Sequence, residues 1–531
     1  MKMNSVMKHN FSEVPKANIQ RSVFNRSHGY KTMFDGGKLV PYIIDEVLPG
    51  DTYNVKATLF LRMANALQVP IMDNMYMDTF YFFVPTRIIW DNFQKFMGEQ
   101  DSPGDSTDFT VPVQEAPVGT GYIAESLADY FAIPTDIPEL EVNTLPFRAY
   151  NLCYQEWFRD ENLQDAVVLD KDDGPDDPAD YTVLTRGKRH DYFTSCLPFP
   201  QKGDAVPLPL AGDAPITGIG ASTQNYADGP VATIYETGGG ATTSYTNAFL
   251  FRTTGDNKYV EEDPSNAGYP NIYANLAAAQ GPNINELREA FQLQILLERD
   301  ARGGTRYTEI IRSHFNVTSP DGRLQRPEFL GGNSTPIMVN PVQQTGETGT
   351  TPQGNLAAYA TAASGNEGFT KSFTEHGYII GIVNVRTDLT YQQGLDRMWS
   401  RSTKYDFYWP ALAHLGEQEV LNKEIYAQND ANDDLVFGYQ ERFAEYRYKQ
   451  SHITGKLRST YTTPLDYWHL SEEFSSLPTL SATFIESPAG SVIDRISAVP
   501  AEPQFVFDSF INMKTVRPMP TYGVPGLIDH F

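Results

Sequence analysis

The basic residues near the start of the chain are the best candidates for chemistry in this sequence. Residues 1–38 contain seven Lys or Arg and two acids, a net charge of +5 (7 − 2), and aromatic residues lie between the cations. Lys and Arg make salt-dependent contacts with phosphates, and aromatic rings stack on unpaired bases. The candidate residues for contact with DNA or with a neighbouring subunit are Lys8, Lys16, Arg21, Phe24, Arg26, Tyr30 and Lys31.

Three interpretations of residues 1–38 stay open. The segment has no sustained hydrophobic period, so we interpret it as an extended arm rather than a packed element. It could contact single-stranded DNA, lie on the acidic surface of another copy, or be disordered. A second cluster, at 299–326, has six Arg against three acids. Salt bridges at helix ends and in loops explain this second cluster more simply than DNA does.

The common catalytic and metal-binding motifs are absent from the sequence. It contains no His-Glu-x-x-His, no Gly-x-Ser-x-Gly and no Walker loop. The acidic run 170–180 could attract calcium, but Gly174 falls one place early for an EF-hand and Tyr181 replaces the bidentate Glu. We therefore expect a solvated acidic loop, with no metal, no cofactor and no enzymatic activity.

The composition indicates a loop-rich chain of short strands. Aromatic residues make up 12%, and 36 Pro and 40 Gly supply many turns. The formal net charge of −25 argues against a general nucleic-acid binder. Cys153 and Cys196 exclude a disulfide framework, fit a reducing cytoplasm, and are expected to be small buried residues. We find no secretory signal and no apolar run near 18 residues, so we expect no membrane insertion.

Hydrophobic periodicity predicts strands towards both ends of the chain. Residues 53–62 alternate between apolar and polar, and 79–84 are apolar on both faces, as in a central strand. Helices are predicted at 87–97, 148–163 and 284–300, the last with Asn283 as its N-cap, and further strands at 378–386, 404–409, 435–448 and 505–512. This distribution favours a two-sheet sandwich whose loops carry insertions.

Two segments differ from the rest of the chain in composition. Residues 201–280 contain ten Gly and have a net charge of −5 (three basic residues, eight acidic), and 331–372 are rich in Gly, Thr, Asn and Gln. Loops of this length are usually functional or disordered. We expect 201–280 to be an ordered protrusion, with a floppy surface loop as the alternative.

Six stretches, taken in order, resemble the major capsid proteins of the gokushoviruses, small icosahedral single-stranded-DNA phages of the Microviridae. The match is specific because it consists of long sequence segments that occur in a fixed order. It covers most of the chain outside about 201–280 and 331–372. The six stretches are Arg21–Ser27, Lys31–Asp35, Asp45–Asp51, Trp90–Glu99, Glu298–Tyr307 and Arg517–Phe531.

The resemblance implies a mainly β fold, an eight-stranded antiparallel jelly roll with long inserted loops and a few short helices. It implies a T=1 shell around circular single-stranded DNA, held by pentamer and three-fold contacts and assembled in the cytoplasm of the host bacterium. Small basic DNA-binding and scaffolding phage proteins would be partners. The insertion at 201–280 would form a three-fold protrusion that contacts a host cell-surface receptor.

The resemblance also implies that the Pro-rich C-terminal tail ties subunits together. Prolines cannot join a sheet interior and dock at low entropic cost. The tail residues are Arg517, Pro518, Pro520, Pro525 and Phe531. The resulting division is a basic arm at 1–38, the first part of the jelly roll at 39–200, the acidic insertion at 201–280, a helix and Arg-rich connection at 281–330, a second inserted loop at 331–372, and the second part of the jelly roll with the tail at 373–531.

Two other classes of protein fit part of the sequence. A carbohydrate-binding β-sandwich would explain the aromatic residues, acidity and loops. A glycoside hydrolase would need two carboxyl groups about 5–10 Å apart in a cleft. Neither class explains the combination of a basic arm with a Pro-rich tail.

Overall fold

The computed structural model describes residues 20–206, 284–349 and 352–523, together with the backbone of four short strands between 207 and 283. The chain divides into two compact units. The first comprises Met1–Lys202 and Glu298–Phe531, and the second comprises Gly203–Leu297. The N-cap candidate Asn283 lies outside the described residues, as does most of the predicted insertion.

The described elements are mostly strands. The strands are β1 (Ser22–Asn25), β2 (His28–Phe34), β3 (Val40–Val47), β4 (Thr52–Met63), β5 (Met75–Pro85), β6 (Val113–Glu115), β7 (Glu141–Asn143), β8 (Ile216–Thr217), β9 (Ala232–Tyr235), β10 (Thr242–Tyr245), β11 (Tyr273–Ala274), β12 (Glu328–Gln343), β13 (Leu356–Ser372), β14 (Gly377–Thr387), β15 (Glu417–Leu421), β16 (Val436–Glu441) and β17 (Phe505–Arg517). The helices are α1 (Phe93–Phe96), α2 (Leu127–Tyr130), α3 (Leu145–Trp157), α4 (Ile284–Gly303), α5 (Tyr307–Phe315), α6 (Asn422–Ile425), α7 (Ala482–Ile485) and α8 (Ala489–Ile496). In the second unit, β9 pairs with β10 and β8 pairs with β11.

One curled antiparallel sheet organises the first unit. Its order is β1-β17-β4-β13-β12-β5-β14-β3, and β2 also pairs with β17. Near the two edges, the Tyr42 ring of β3 packs on the Phe507 ring of β17 with centroids 5.4 Å apart. The mainly β prediction is confirmed, and the curled sheet is consistent with a jelly roll. Hydrogen bonding gives nine strands instead of eight, because β1 and β2 pair with successive parts of β17.

The strands with the clearest sequence patterns are confirmed. In β4 every second residue from Tyr53 is buried, as the alternation predicts. Strand β5 is buried on both faces, because Phe83 belongs to the core inside the curl while Phe82 packs in a second core with α3. Cys153 lies in that second core, and both cysteines are buried and free.

The helix predictions are only partly confirmed. The helix expected at 87–97 is interrupted, since a 3-10 turn at Thr86–Ile88 and the short α1 flank the buried Trp90. Gly98 follows with φ +104°, a conformation that favours glycine. Helix α3 ends at Trp157, before the predicted 163, whereas α4 confirms the helix expected at 284–300.

The prediction of a second inserted loop at 331–372 is wrong. Most of this segment forms β12 and β13, which occupy the middle of the main sheet. The alternation is present in β13 but is carried by alanines, since Ala358, Ala360 and Ala362 are buried. Small side chains give a weak hydrophobic signal, so the period of two was hidden.

Two strand predictions near the C-terminal half also fail. Residues 404–409 contain the 3-10 turn Lys404–Asp406 instead of a strand. The strand expected at 435–448 is limited to β16, and a 3-10 turn follows at Ala444–Tyr446. Both segments belong to a lobe with its own core around Phe193 and Phe437.

The prediction that residues 170–180 form a solvated loop is wrong at its centre. The Asp176 carboxylate is 1% exposed and pairs with the equally buried Arg148. Asp173 accepts a hydrogen bond from the Trp90 indole at 2.7 Å. Within the described residues no group of three or more His, Cys, Asp or Glu could hold a metal ion. No helix in the same ranges is long and apolar enough to cross a membrane.

Candidate assembly and nucleic-acid surfaces

The described part of the basic N-terminal segment is packed against the sheet. Strands β1 and β2 pair with β17 along its length. The interpretation of this segment as an unpacked arm is therefore wrong for residues 22–34. The two strands are short and are interrupted between Asn25 and His28. Each therefore contains too few alternating residues to be recognised as a strand from the sequence. Lys8 and Lys16 lie outside the described residues.

Arg26 and Arg517 meet in one cluster, which we call the terminal clamp and define as Arg26, Asp45, Asp51, Tyr53 and Arg517. The Arg26 guanidinium donates to both Asp45 oxygens at 2.5 and 2.6 Å. The Tyr53 hydroxyl donates to Asp45 at 2.7 Å and accepts from Arg517 at 2.7 Å. Arg517 Nε lies 3.1 Å from the fully buried Asp51. Burial and the Asp45 charge raise the pKa of Tyr53, which keeps its hydroxyl protonated.

The clamp joins three of the six sequence stretches, from the first, the third and the last. Two of the cations that were candidates for contact with DNA or a neighbouring subunit, Arg26 and Arg517, therefore have carboxylate partners within their own chain. Pro518 and Pro520 follow directly after β17, while Pro525 and Phe531 lie outside the described residues. A role of this tail between subunits stays a prediction.

The remaining arm candidates differ in accessibility. The Tyr30 hydroxyl donates to the Tyr130 carbonyl at 2.9 Å, and burial raises the pKa of Tyr30 to about 12. The half-buried Phe24 lies in β1, and the exposed Arg21 donates to the Gly50 carbonyl. Lys31 forms an ion pair with Asp508 at 2.8 Å. Both side chains are exposed, so this pair contributes little to the stability of the fold. DNA contact by these residues stays a prediction.

A concave site that the sequence reasoning missed lies beside α3 and α5. We call it the basic cleft. It has two lobes of about 640 and 700 Å³, and the residues that line both are Arg159, Asp160, His190, Arg306 and Glu309. Aromatic side chains line the larger lobe: Phe80, Phe82, Trp157, Phe158 and Phe329. The cleft therefore combines positive charge with aromatic faces.

The cations of the basic cleft are unequally compensated. Arg306 forms an ion pair with Glu161 at 2.5 Å and another with Glu309 at 3.4 Å. In contrast, Arg159 donates to the neutral Gln164 carbonyl at 2.6 Å. The Arg189 side chain is 61% exposed, with Asp388 3.9 Å away. Cations nevertheless outnumber the acids Asp160, Glu161 and Glu309 that also line the cleft, so an entering anion would meet a net positive charge.

A buried carboxylate fixes one wall of the basic cleft. Asp78 accepts hydrogen bonds from Arg186 at 2.5 Å, Arg386 at 2.8 Å and Ser334 at 2.5 Å. Burial opposes ionisation of Asp78, but the hydrogen bonds from Ser334 and Arg186 and the two Arg charges outweigh it and lower the pKa of Asp78. Arg186 is held with its guanidinium 5.0 Å from the Phe80 ring centre.

A second missed feature is a group of exposed aromatic side chains, which we call the aromatic surface. Arg401 lies over two of its rings, 4.4 Å from the centre of Tyr446 and 5.5 Å from that of Phe407. The surface lies on the lobe that contains β15 and β16. Its members are Trp399, Tyr405, Phe407, Tyr408, Trp409, Tyr446 and Tyr448.

Simple signals in the sequence could have found both features. Residues 186–190 contain three Lys or Arg and one His within five positions, Arg-Gly-Lys-Arg-His. Residues 405–409 contain four aromatic residues in five and lack the polar alternation of a half-buried strand. In the second basic cluster, at 299–326, Arg306 and Arg326 form ion pairs. This agrees with salt bridges at helix ends and in loops as the explanation of these two residues.

Comparison with known proteins gives consistent matches over nearly the whole chain. A family model described as "Capsid protein (F protein)" matches residues 12–527. The chain is 48% identical over 534 residues to capsid protein VP1 of Bdellovibrio phage phiMH2K, covering 98% of both chains. It is 43% identical to capsid protein VP1 of Chlamydia phage 1, covering 99% of both. It is 38% identical to capsid protein VP1 of Spiroplasma virus 4, covering 98% of this chain and 97% of that protein.

These matches confirm the resemblance to the gokushovirus coat proteins. They also identify the role of the chain as structural, since its relatives are capsid proteins and not enzymes. The alternative functions of a carbohydrate-binding β-sandwich and of a glycoside hydrolase are therefore rejected. The chain belongs to the phage F capsid protein family and is a major capsid protein.

Proposed function

We propose that copies of this chain close a T=1 icosahedral shell around circular single-stranded DNA, with contacts at pentamers and three-fold axes. The aromatic surface carries the assembly part of this proposal. A net charge of −25 makes copies repel one another, so apolar contacts must outweigh the repulsion. Large exposed apolar patches mark interaction sites, and aromatic residues and Arg dominate interface energies.

Sedimentation of the expressed chain, followed by electron microscopy of the fastest fraction, tests the shell. Closed T=1 particles, or pentamer-sized intermediates when scaffolding proteins are absent, are the expected result. A chain that remains monomeric at high concentration with the other phage proteins present would contradict self-assembly. The proposal also includes assembly in the cytoplasm of the host bacterium, where the reduced state of Cys153 and Cys196 would be maintained.

The basic cleft supports contact with the packaged strand. Exposed Arg side chains attract phosphates, and aromatic faces stack bases without sequence preference. The rest of the chain is strongly acidic, so the cleft cannot neutralise a genome by itself. We therefore include small basic DNA-binding proteins and scaffolding proteins of the phage as partners.

Arg189→Gln combined with Arg312→Gln is expected to lower the DNA content of purified shells. Both side chains are exposed and line the cleft, so their charges can be removed without unfolding the subunit. Removing two phosphate contacts should lower DNA affinity by about tenfold or more at low salt, and the difference from the unchanged chain should shrink as salt rises, because the affinity of the variant depends less steeply on salt.

The ratio of absorbance at 260 and 280 nm across shells prepared from 50 to 300 mM salt provides the measurement. Lys56→Gln combined with Lys514→Gln is the matched control, since it removes two exposed cations that lie outside the cleft and outside the N-terminal segment. Equal DNA content in the double variant and the control at every salt concentration would exclude the cleft as a DNA contact.

The insertion is proposed to mediate attachment to a receptor on the host cell. It coincides largely with the separate compact unit Gly203–Leu297, and its Gly- and Thr-rich, acidic composition differs from that of the sheet. Deletion of about 230–265 should leave shells intact and abolish binding to host cells, measured as particles sedimenting with cells. Loss of shells in the deletion variant would instead give this segment a role in assembly.

A further inference from the structure

We propose that a pocket beside α2 binds the uncharged C-terminal segment 518–528 of a neighbouring copy. This inference rests on the self-assembly proposed above, and it gives the tail a specific partner surface. We call the site the Gln114 pocket. It has a volume of about 730 Å³, within the usual range for binding sites, and its apolar walls include Tyr122, Leu127, Phe147, Tyr181 and Val183.

Polar atoms at the floor of the Gln114 pocket lack hydrogen-bond partners among the described residues. Gln114 is 1% exposed, and neither its amide nitrogen nor its amide oxygen has a partner in hydrogen-bonding geometry among the described residues. The buried Tyr122 hydroxyl lies beside the Gln114 amide, whose influence lowers the pKa of Tyr122 against the larger effect of burial, but the two groups are not in hydrogen-bonding geometry. Leaving buried donors and acceptors unpaired destabilises the folded chain, so such groups usually have a partner. A ligand that offers both a donor and an acceptor would satisfy Gln114, and a peptide group does so.

The loop around the pocket is held in strained conformations. Glu125, which lines the pocket, has a φ of 64°, and three residues in the segment after α2 that do not line it also have positive φ: Ala132 at 61°, Asp136 at 60° and Glu139 at 55°. At Gly121 a Cβ would lie 2.5 Å from the Ile137 backbone nitrogen, so only glycine fits there. Backbone strain of this kind concentrates at functional sites, where it fixes a shape before the ligand arrives. The loop presents the exposed Ile123 at the pocket rim.

The charges around the pocket favour an uncharged ligand. Lys38 donates to the Thr185 hydroxyl at 3.1 Å, and the Asp177 carboxylate accepts from the Ala179 backbone at 2.9 Å. Glu125 is exposed at the rim, where water solvates it. The remaining walls are mostly apolar, with the hydroxyls of Thr120, Ser126 and Thr182 and the Gln114 amide among them, so an ionised ligand would be desolvated there with little compensation.

Residues 518–528 have the matching chemistry. The run Pro-Met-Pro-Thr-Tyr-Gly-Val-Pro-Gly-Leu-Ile carries no charge and ends in two large aliphatic residues. Its prolines restrict the unbound chain, which lowers the entropic cost of docking. Carbonyls of the run can accept from the Gln114 amide nitrogen, and the amide of Leu527 can donate to the Gln114 oxygen. One ligand would thus fill the walls and satisfy the floor.

A neighbouring copy fits better than the same chain. Arg517 donates to the Glu46 carbonyl near the end of β3, whereas Lys38 of the pocket precedes the start of that strand. The offset of eight positions between them corresponds to about 26 Å along a strand. Within one chain, about eight of the eleven uncharged residues would be used to cover that path. A neighbour can present the whole run to the pocket.

A disulfide cross-link tests the proposal in assembled shells. Ile123→Cys combined with Leu527→Cys should give dimers and higher multimers on non-reducing gels after mild oxidation of shells, because the two sulfurs would come together across the contact. The native cysteines are both buried and should not interfere. Val499→Cys with Leu527→Cys is the matched control, since Val499 is exposed and lies outside the pocket.

A second variant separates recognition from structure. Gln114→Leu keeps the approximate volume of the side chain and removes its unpaired polar atoms. When it is added to the cysteine pair, cross-linking should fall about tenfold while the subunit melts at the same or a higher temperature. An unchanged cross-linking yield would mean that the amide does not recognise the tail.

The outcomes distinguish this inference from the proposed shell. Shells that form normally but give no ladder, or give only a faster-migrating cross-linked monomer, would overturn docking by a neighbour and leave self-assembly intact. Failure to form shells in the unmodified chain would overturn self-assembly itself. Native mass spectrometry of subunits released from shells would also overturn the inference if it found a neutral small molecule bound in place of the tail.

Discussion

Replacing Arg148 with leucine is expected to lower the free energy of unfolding of the subunit by about 3–5 kcal/mol, the usual cost of breaking a buried ion pair. Arg148 donates to the two Asp176 oxygens at 2.7 and 2.5 Å, and both side chains are 1% exposed. It also donates to the Ile89 and Asp172 carbonyls at 3.2 and 2.9 Å. The variant would leave the Asp176 carboxylate buried with a single donor, the Tyr181 hydroxyl at 2.5 Å.

Urea unfolding of the unassembled subunit, followed by tryptophan fluorescence, measures this loss. Arg323→Leu removes an exposed arginine and should change stability by less than about 0.5 kcal/mol. Adding Asp176→Asn to Arg148→Leu should restore part of the stability, because the buried charge is removed. A loss below 1 kcal/mol in the single variant would show that the pair is dispensable.

Trp399→Ser combined with Trp409→Ser is expected to abolish shell formation while the subunit stays folded. Truncating an aromatic residue at the centre of an interface costs about 2 kcal/mol or more, which is over tenfold in affinity for each contact. Each subunit would repeat this loss at every copy of the interface, so the effect on a closed shell multiplies. Both indoles are at least half exposed, which limits the effect on the core beneath them.

Sedimentation of the variant and circular dichroism of its slow fraction separate assembly from folding. Phe315→Ser is the control, since this exposed aromatic residue at the end of α5 lies away from the aromatic surface. Normal shells from the tryptophan double variant would show that the aromatic surface faces solvent or another partner. A variant that loses its native spectrum would call for Tyr405→Ser, whose side chain is exposed and lies outside the lobe core.

The terminal clamp illustrates why the roles of the chain ends could not be assigned from sequence. Arg26 was expected to contact DNA or a neighbouring subunit as part of the basic N-terminal segment, and Arg517 to contact a neighbouring subunit as part of the Pro-rich tail. Their partners, Asp45 and Asp51, lie 19 and 466 positions away and are brought close only by the pairing of β1 and β17 with the rest of the sheet. Charge alone therefore predicted attraction to an anion, but not which anion.

Local sequence patterns were sufficient to predict the strands whose large side chains alternate or run together, above all β4, β5, β14 and β17, and the approximate length of α4. A period of two between large apolar and polar residues is local information, so it survives without knowledge of the fold. The long matching stretches likewise determined the capsid family.

Where the local pattern is weak, the burial of a side chain followed from packing between distant parts of the chain. The alanines of β13 become core residues because β4 and β12 flank them in the sheet, and Asp176 becomes buried because Arg148 on α3 reaches it. The basic cleft and the Gln114 pocket are likewise assembled from residues far apart in sequence. The contribution of each of these side chains to stability depends on how deeply it is buried. Burial depends on contacts between residues distant in sequence, which the local pattern does not contain.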